Sequence, residues 1–123
     1  MPFEMTWEDR GVYKRFTGKV SFPEYARSQE LVLGDSRTDS LHYVINDLLA
    51  IEGYSFTTDQ AEYLAAFNKG PSLSNPHLHV AYVTRDLRII TILKMMAAIS
   101  SFELRHFPTL EEARAWAAAL LQE

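Results

Sequence analysis

Residues 42–60 read HYVINDLLAIEGYSFTTDQ, and the order of events within them decides the fold. His42-Tyr43-Val44-Ile45 collects aromatic and β-branched side chains without polar alternation, the pattern of a strand buried on both faces. The apolar run continues through Leu48, Leu49 and Ile51, then gives way to a loop with the hydroxyls Ser55, Thr57 and Thr58. Thr57 with Gln60, or Asp59 with Glu62, each forms a capping box, in which a side chain accepts a bond from a free amide of the first helical turn. This predicts a helix over 59–69, stopped at Gly70 and followed by the turn-rich PSLSNP.

Working outward, the same alternation recurs on both sides. Downstream, LHVAYVT at 78–84 is the next strand, and a long apolar helix runs from Asp86 to Ile99. A short strand is predicted over 102–107, broken by Pro108, and Thr109-Leu110-Glu111-Glu112 opens a final helix with an apolar stripe at Leu110, Ala113, Ala117, Leu120 and Leu121. Upstream, Phe3, Met5 and Trp7 alternate with polar residues. A turn at Glu8-Asp9-Arg10-Gly11 and a second run, Val12 to Thr17, complete a hairpin. Ser21-Phe22-Pro23-Glu24 has the hydroxyl, proline and glutamate of a helix start, and Gly34 ends that helix. Its predicted buried face is Phe22, Tyr25, Ala26, Val32 and Leu33. The order is β-β-α-β-α-β-α-β-α. Strands alternating with helices imply right-handed crossovers, so the fold class is α/β, a mostly parallel sheet with an antiparallel N-terminal hairpin.

Composition narrows the function classes. A chain of 123 residues is near the common domain size, and one domain spanning 1–123 is expected. Sixteen acids against twelve bases, without a long run of either sign, disfavour nucleic-acid binding, which needs a concentrated basic surface. The absence of cysteine removes disulfides and thiol chemistry. MPFEMTWEDRG does not read as a signal peptide, and the longest apolar stretch, 87–99, is shorter than the roughly 20 residues of a bilayer span. A cytoplasmic protein without a transmembrane segment is expected; contact with a membrane surface stays open.

The elements and their motifs resemble the SpoIIAA-like branch of the STAS superfamily, small bacterial α/β domains related to anti-sigma-factor antagonists. The resemblance rests on a hairpin ending in Phe16-Thr17-Gly18, on HYVINDLLAI at 42–51, on LHVAYVTRD at 78–86, and on FELRHFPTLEEARAWAAAL at 102–120. It covers nearly the whole chain and implies binding functions in place of catalysis. By fold the chain is also similar to CRAL-TRIO lipid-binding domains. In the regulatory branch a kinase phosphorylates a serine in an Asp-Ser-Xaa-Gly-like motif between the third strand and the next helix. Carried over, the resemblance puts Asp47 at the matching strand end and Ser55, Thr57 and Thr58 in the phospho-loop, which has no glycine after a hydroxyl.

Other chemistry is sparse. His77 and His79 alternate about a strand start, but no third ligand is evident and no metal or cofactor is expected. His42 and His106 read as strand residues. Asp47, Thr84, Arg85, Asp86 and Thr109 collect at the carboxyl ends of the strands, where ligands of open α/β sheets bind, and Arg85 could pair with Asp47 or bind an anion. No phosphate loop or nucleophile elbow is present. The least ordinary stretch is 87–99. Ile89, Ile92, Leu93, Met96 and Ile99 already supply a core stripe, leaving Leu87, Ile90, Met95 and Ala98 for a second surface. The leading expectation is a non-enzymatic module that binds a protein partner, a second copy of itself as a homodimer, or a lipid-like ligand through this helix. A phospho-regulated antagonist and a small enzyme using Asp47 and Arg85 are the alternatives.

Overall fold

In the computed structural model, Phe3–Glu8 (β1) and Gly11–Ser21 (β2) form an antiparallel hairpin, registered from Phe3 opposite Phe16 to Glu8 opposite Gly11. The structure describes residues 3–55, 57, 59–60, 62–63, 78–99 and 103–122. Arg10 closes the turn at φ 55°, in the left-handed region. Gly11 then passes so close to Tyr43 that a Cβ there would lie 2.0–2.2 Å from the tyrosine ring, which requires glycine at this position.

Ser21 ends β2 and caps the next helix, α1 (Phe22–Leu33). Its hydroxyl accepts from the Glu24 amide and the Glu24 carboxylate accepts from the Ser21 amide, the expected capping box, with Gly34 at the other end. A 3-10 turn over Ser36–Ser40 leads to β3 (Tyr43–Ser55). Then follow β4 (His79–Val83), α2 (Leu87–Ile99), β5 (Glu103–Phe107) and α3 (Leu110–Leu120). The sheet runs β1-β2-β3-β4-β5, and every pairing after the hairpin is parallel. The α/β expectation therefore holds. Residues 59, 60, 62 and 63 are helical as expected; the remainder of that helix, Gly70 and PSLSNP lie outside the described residues.

Two strand readings need correction. β2 continues past Thr17 to Ser21, and β3 continues past Ile51 to Ser55. The two strands pair along this whole length because β3 absorbs extra residues at two register shifts. Arg15 pairs with Asp47 but Thr17 with Ala50, and Gly18 pairs with Ile51 but Lys19 with Gly53. Each bulge changes the face on which later side chains fall, which removes period-2 alternation from the sequence.

The sheet separates two cores. On one face Val12, Phe16, Val44 and Val80 pack with Tyr25 and Val32 of α1 and Ile89, Leu93 and Met96 of α2. Each buried Ile, Leu or Met contributes about 1.5–3 kcal/mol. On the other face Tyr43, Ile45, Ala81 and Val83 pack with Ala113 and Ala117 of α3. Leu110, Leu120 and Leu121 of the predicted stripe lie half-buried against that second core. The buried face of α1 includes Ser28 and Gln29 as well as Tyr25 and Val32, whereas Phe22, Ala26 and Leu33 are half-buried. Apolar periodicity alone passed over the two polar residues.

Candidate functional site

The carboxyl ends of the parallel strands are occupied by side chains that mostly serve the backbone. The Thr84 hydroxyl accepts from the Asp86 amide at 3.1 Å, and the Asp86 carboxylate accepts from the Arg88 and Ile89 amides at 2.9 and 3.4 Å, capping α2. The Thr109 hydroxyl caps α3 by accepting from the Glu112 amide at 3.2 Å. Arg85 does not pair with Asp47: its Nε donates to the Pro108 carbonyl at 2.9 Å. Asp47, 6% exposed, instead accepts from the Tyr13 hydroxyl at 2.5 Å and the Leu49 amide at 3.1 Å. Burial, and after it the Asp47 carboxylate, push the Tyr13 phenol up to about 12. Asp47 is level with the end of β4, opposite Val83, but it is not the end of its own strand, because β3 goes on against β2 to Ser55. The strand-end position expected for Asp47 is corrected accordingly.

The hydroxyl loop is placed in part. Ser55 is the exposed last residue of β3; Thr58 lies outside the described residues. Thr57 forms the predicted capping box: the Gln60 amide donates to its hydroxyl at 3.1 Å and its own amide donates to the Gln60 side chain at 3.0 Å. His77 is also outside the described residues. His79 Nδ1 lies 2.8 Å from the Glu103 carboxylate on β5, with its ring edge-on to Trp116. Among the described residues no group of three metal-ligating side chains occurs.

The residues proposed for the second face of α2 divide. Leu87 is 78% exposed, Ile90 is half-buried, Met95 is half-buried against the core shared with α1, and Ala98 is exposed. Two shallow grooves lie about the start of α2, and Leu87 lines the first. One, of about 420 Å³, is lined by Tyr54, Leu87, Arg88, Thr91 and Ile92. The other, of about 260 Å³, includes Leu48, Leu49, Thr84, Arg85 and Asp86, and Leu49 is itself 43% exposed. The Arg88 guanidinium lies 5.6 Å from the Tyr54 ring centre, so cation and aromatic are held side by side on this surface.

One polar group inside the protein went unnoticed in the sequence. Lys14, Asn46 and Tyr82 are register partners across β2, β3 and β4, and all three are buried. Lys14 Nζ donates to the Ser28 hydroxyl at 3.2 Å, which donates on to the Tyr25 carbonyl at 2.7 Å. The Tyr25 and Tyr82 hydroxyls share a hydrogen bond, and Gln29 donates to Tyr25 at 3.4 Å. Burial lowers the Lys14 amine to about 7 and raises both phenols. The signal was present in period 2: Lys14 sits between Val12 and Phe16, both on the core face.

No family model and no curated protein matches the chain. Solved structures are similar to it. The anti-sigma factor antagonist SpoIIAA in its unphosphorylated form superposes with a TM-score of 0.65 at 8% identity, covering 94% of this chain and 97% of that one. An uncharacterised DUF3478-family protein from Shewanella loihica gives 0.58 at 14% identity, with 94% and 91% covered. An anti-sigma factor antagonist from Mycobacterium paratuberculosis gives 0.55 at 18% identity, with 94% and 92% covered. Agreement of shape over nearly the full length of each chain, at identities this low, is agreement of fold: the chain has a SpoIIAA-like fold.

Proposed function

We propose that this chain is a non-enzymatic regulatory module that binds a protein partner through the surface around the start of α2. The observation that carries the reading is Leu87, 78% exposed at the head of a helix whose other face is core, with exposed Leu49 on the neighbouring strand. Apolar side chains rimmed by Arg85, Asp86 and Arg88 have the composition of a protein interface, with an apolar centre and a charged edge. Leu87→Glu should alter stability by less than about 0.5 kcal/mol, since little apolar area is buried there.

Two further observations favour a protein over the other occupants. The cavity beneath this surface, bounded by Leu48, Tyr82 and Leu93 among others, is apolar but only about 60 Å³. That is room for a few heavy atoms and not for an acyl chain. The nearby hydroxyls and carboxylates, Thr57, Asp86, Thr109 and Asp47, are engaged as caps or buried acceptors, which speaks against a small enzyme. The anti-sigma factor antagonists among the similar structures support a protein as the binding target.

Photo-crosslinking in the source cells tests the surface. A photoreactive residue at position 87 or 49 should yield a protein adduct that the same residue at exposed position 111 on α3 does not. An adduct of twice the chain mass assigns the surface to a second copy and overturns a separate partner. A lipid adduct alone, or none specific to 87 and 49, sinks the reading.

A further inference from the structure

The buried group around Lys14 borders a second cavity, on the same face of the sheet but under α1. It has a volume of about 40 Å³ and is lined by Lys14, Gln29, Asn46 and Tyr82 together with aliphatic side chains. The half-buried members of its lining are Leu33 of α1 and Leu104 of the edge strand β5. Lys14 is 2% exposed; its Nζ donates to the neutral Ser28 hydroxyl and lies 5.6 Å from the Tyr25 ring centre. Two further polar atoms in the lining have no hydrogen-bond partner among the described residues: Gln29 Oε1 and Asn46 Oδ1, in residues 9% and 1% exposed. The Asn46 orientation is set because its amide nitrogen donates to the Ala81 carbonyl at 3.3 Å, which leaves the oxygen for other donors.

A sheet interior does not keep an amine and two free amide oxygens beside one cavity without cost, since an unmade hydrogen bond in the core opposes folding. A structural lysine is ordinarily paired with a carboxylate; this one is set among neutral groups, so its uncharged form is favoured. An uncharged lysine in an apolar enclosure is a nucleophile towards carbonyl carbon. The two amide oxygens are acceptors, suited to the hydroxyl that forms when an amine adds to a carbonyl group.

We propose that Lys14 is a nucleophilic lysine whose cavity takes a small aldehyde or ketone and holds it as an imine. The amine lone pair adds to the carbonyl carbon, the nitrogen loses its protons as the oxygen gains them, and water leaves as the C=N bond forms. Nothing is oxidised or reduced in the step. Gln29 Oε1 and Asn46 Oδ1 accept hydrogen bonds from the hydroxyl of the addition intermediate and then from the departing water. The cavity has room for about three to four water-sized groups, which limits the carbonyl compound to two or three carbons. This site is separate from the Leu87 surface and does not depend on the partner reading.

Propanal with cyanoborohydride, which reduces the imine to a stable propyl amine, tests the proposal on the wild-type protein. Peptide mass spectrometry should find Lys14 propylated at least about tenfold faster than the exposed Lys19 and Lys94 at neutral pH, because an ordinary lysine with a pKa near 10.4 is almost wholly protonated there. The Lys14 rate should level off above about pH 7, whereas the rates at Lys19 and Lys94 should keep climbing towards about pH 10. Asn46→Leu, confirmed folded by circular dichroism, should slow labelling of Lys14 several-fold and leave Lys19 and Lys94 unchanged. Labelling of Lys14 no faster than the surface lysines, or only in denaturant, would overturn the proposal and leave the cavity to solvent.

Discussion

The two faces of the sheet solve the same problem in opposite ways. Both carry polar side chains at positions where period 2 directs them inward. On the α3 face charges are paired: Arg114 of α3 makes a two-pronged bond to Glu8 at 2.6 and 2.8 Å, Tyr43 donates to Glu8, and Tyr13 donates to Asp47. The Arg114 guanidinium also lies 4.8 Å from the Tyr13 ring centre. On the α1 and α2 face the row Lys14, Asn46, Tyr82 has neutral partners, and among the described residues Asn46 Oδ1 and Gln29 Oε1 of α1 have none. A paired charge at a rim is screened and nearly neutral in energy; a buried amine without a counter-charge costs stability.

The largest effect is expected where the α3 face leaves no room. Gly11→Ala puts a methyl group into the Tyr43 ring, and Tyr43 cannot retreat without releasing Glu8, so about 3 kcal/mol or more should be lost. Urea unfolding measures this. The same substitution in a Tyr43→Val background should cost far less; an equal cost would mean that the backbone and not the ring is responsible.

The opposite sign is expected on the other face. The folded Lys14 pKa, about 7, is below that of a free lysine, so between about pH 7 and about pH 10 the unfolded chain binds a proton that the folded chain lacks. Stability from this group therefore rises with pH across that window, and below it the penalty is present in full. Lys14→Met should stabilise the protein by roughly 2–4 kcal/mol at neutral pH, with the gain shrinking towards about pH 10. A Lys14→Met variant that is less stable and has an unchanged pH slope would show that the amine is well solvated or paired, and would erase the contrast between the faces.

Which parts of this were legible follows from the range of the interactions. Ser21 with Glu24, Thr57 with Gln60 and Thr109 with Glu112 are three residues apart, so the helix starts could be read directly. Arg114 and Glu8 are 106 positions apart, and nothing local in either segment announces the other. The tail of β3 was illegible for a different reason: the two register shifts against β2 break the alternation on which a strand reading depends. Lys14 could have been found, because its neighbours two places away are both core, but a single lysine in a strand is ordinarily read as facing solvent. The exposure of Leu87 was not legible either, since an apolar first turn looks the same in sequence whether covered or bare.

A smaller loss should follow from Arg114→Ala. The arginine is 39% exposed, so solvent screens the pair and about 1 kcal/mol is the expected cost at neutral pH. The Arg114 hydrogen bond is the largest influence holding the Glu8 carboxyl below its ordinary range. A depressed carboxylate contributes stability above its unfolded pKa and loses it as pH falls through the folded value. The gap between wild type and Arg114→Ala should accordingly narrow in acid. A gap constant from neutral pH to about pH 3 would assign the effect to the packing of the arginine stem instead.

The smallest effect belongs to Thr57, exposed beyond the end of β3, which calibrates both faces. Its hydroxyl and amide exchange hydrogen bonds with Gln60 at an exposed helix start. Thr57→Ala removes the accepting oxygen and should cost about 1 kcal/mol or less. Thr57→Asp supplies another acceptor and adds negative charge where the helix dipole favours it, so stability should be nearly restored. The pair of variants also weighs the phospho-loop alternative. A hydroxyl kept only to start a helix is replaceable by aspartate in every assay, including crosslinking from position 87. A hydroxyl kept as a switch is not: Thr57→Asp would then be as stable as wild type yet altered in partner capture. Stability restored together with unchanged crosslinking removes Thr57 from any switch; stability restored with crosslinking lost would make the loop, and not either face of the sheet, the regulated element of the protein.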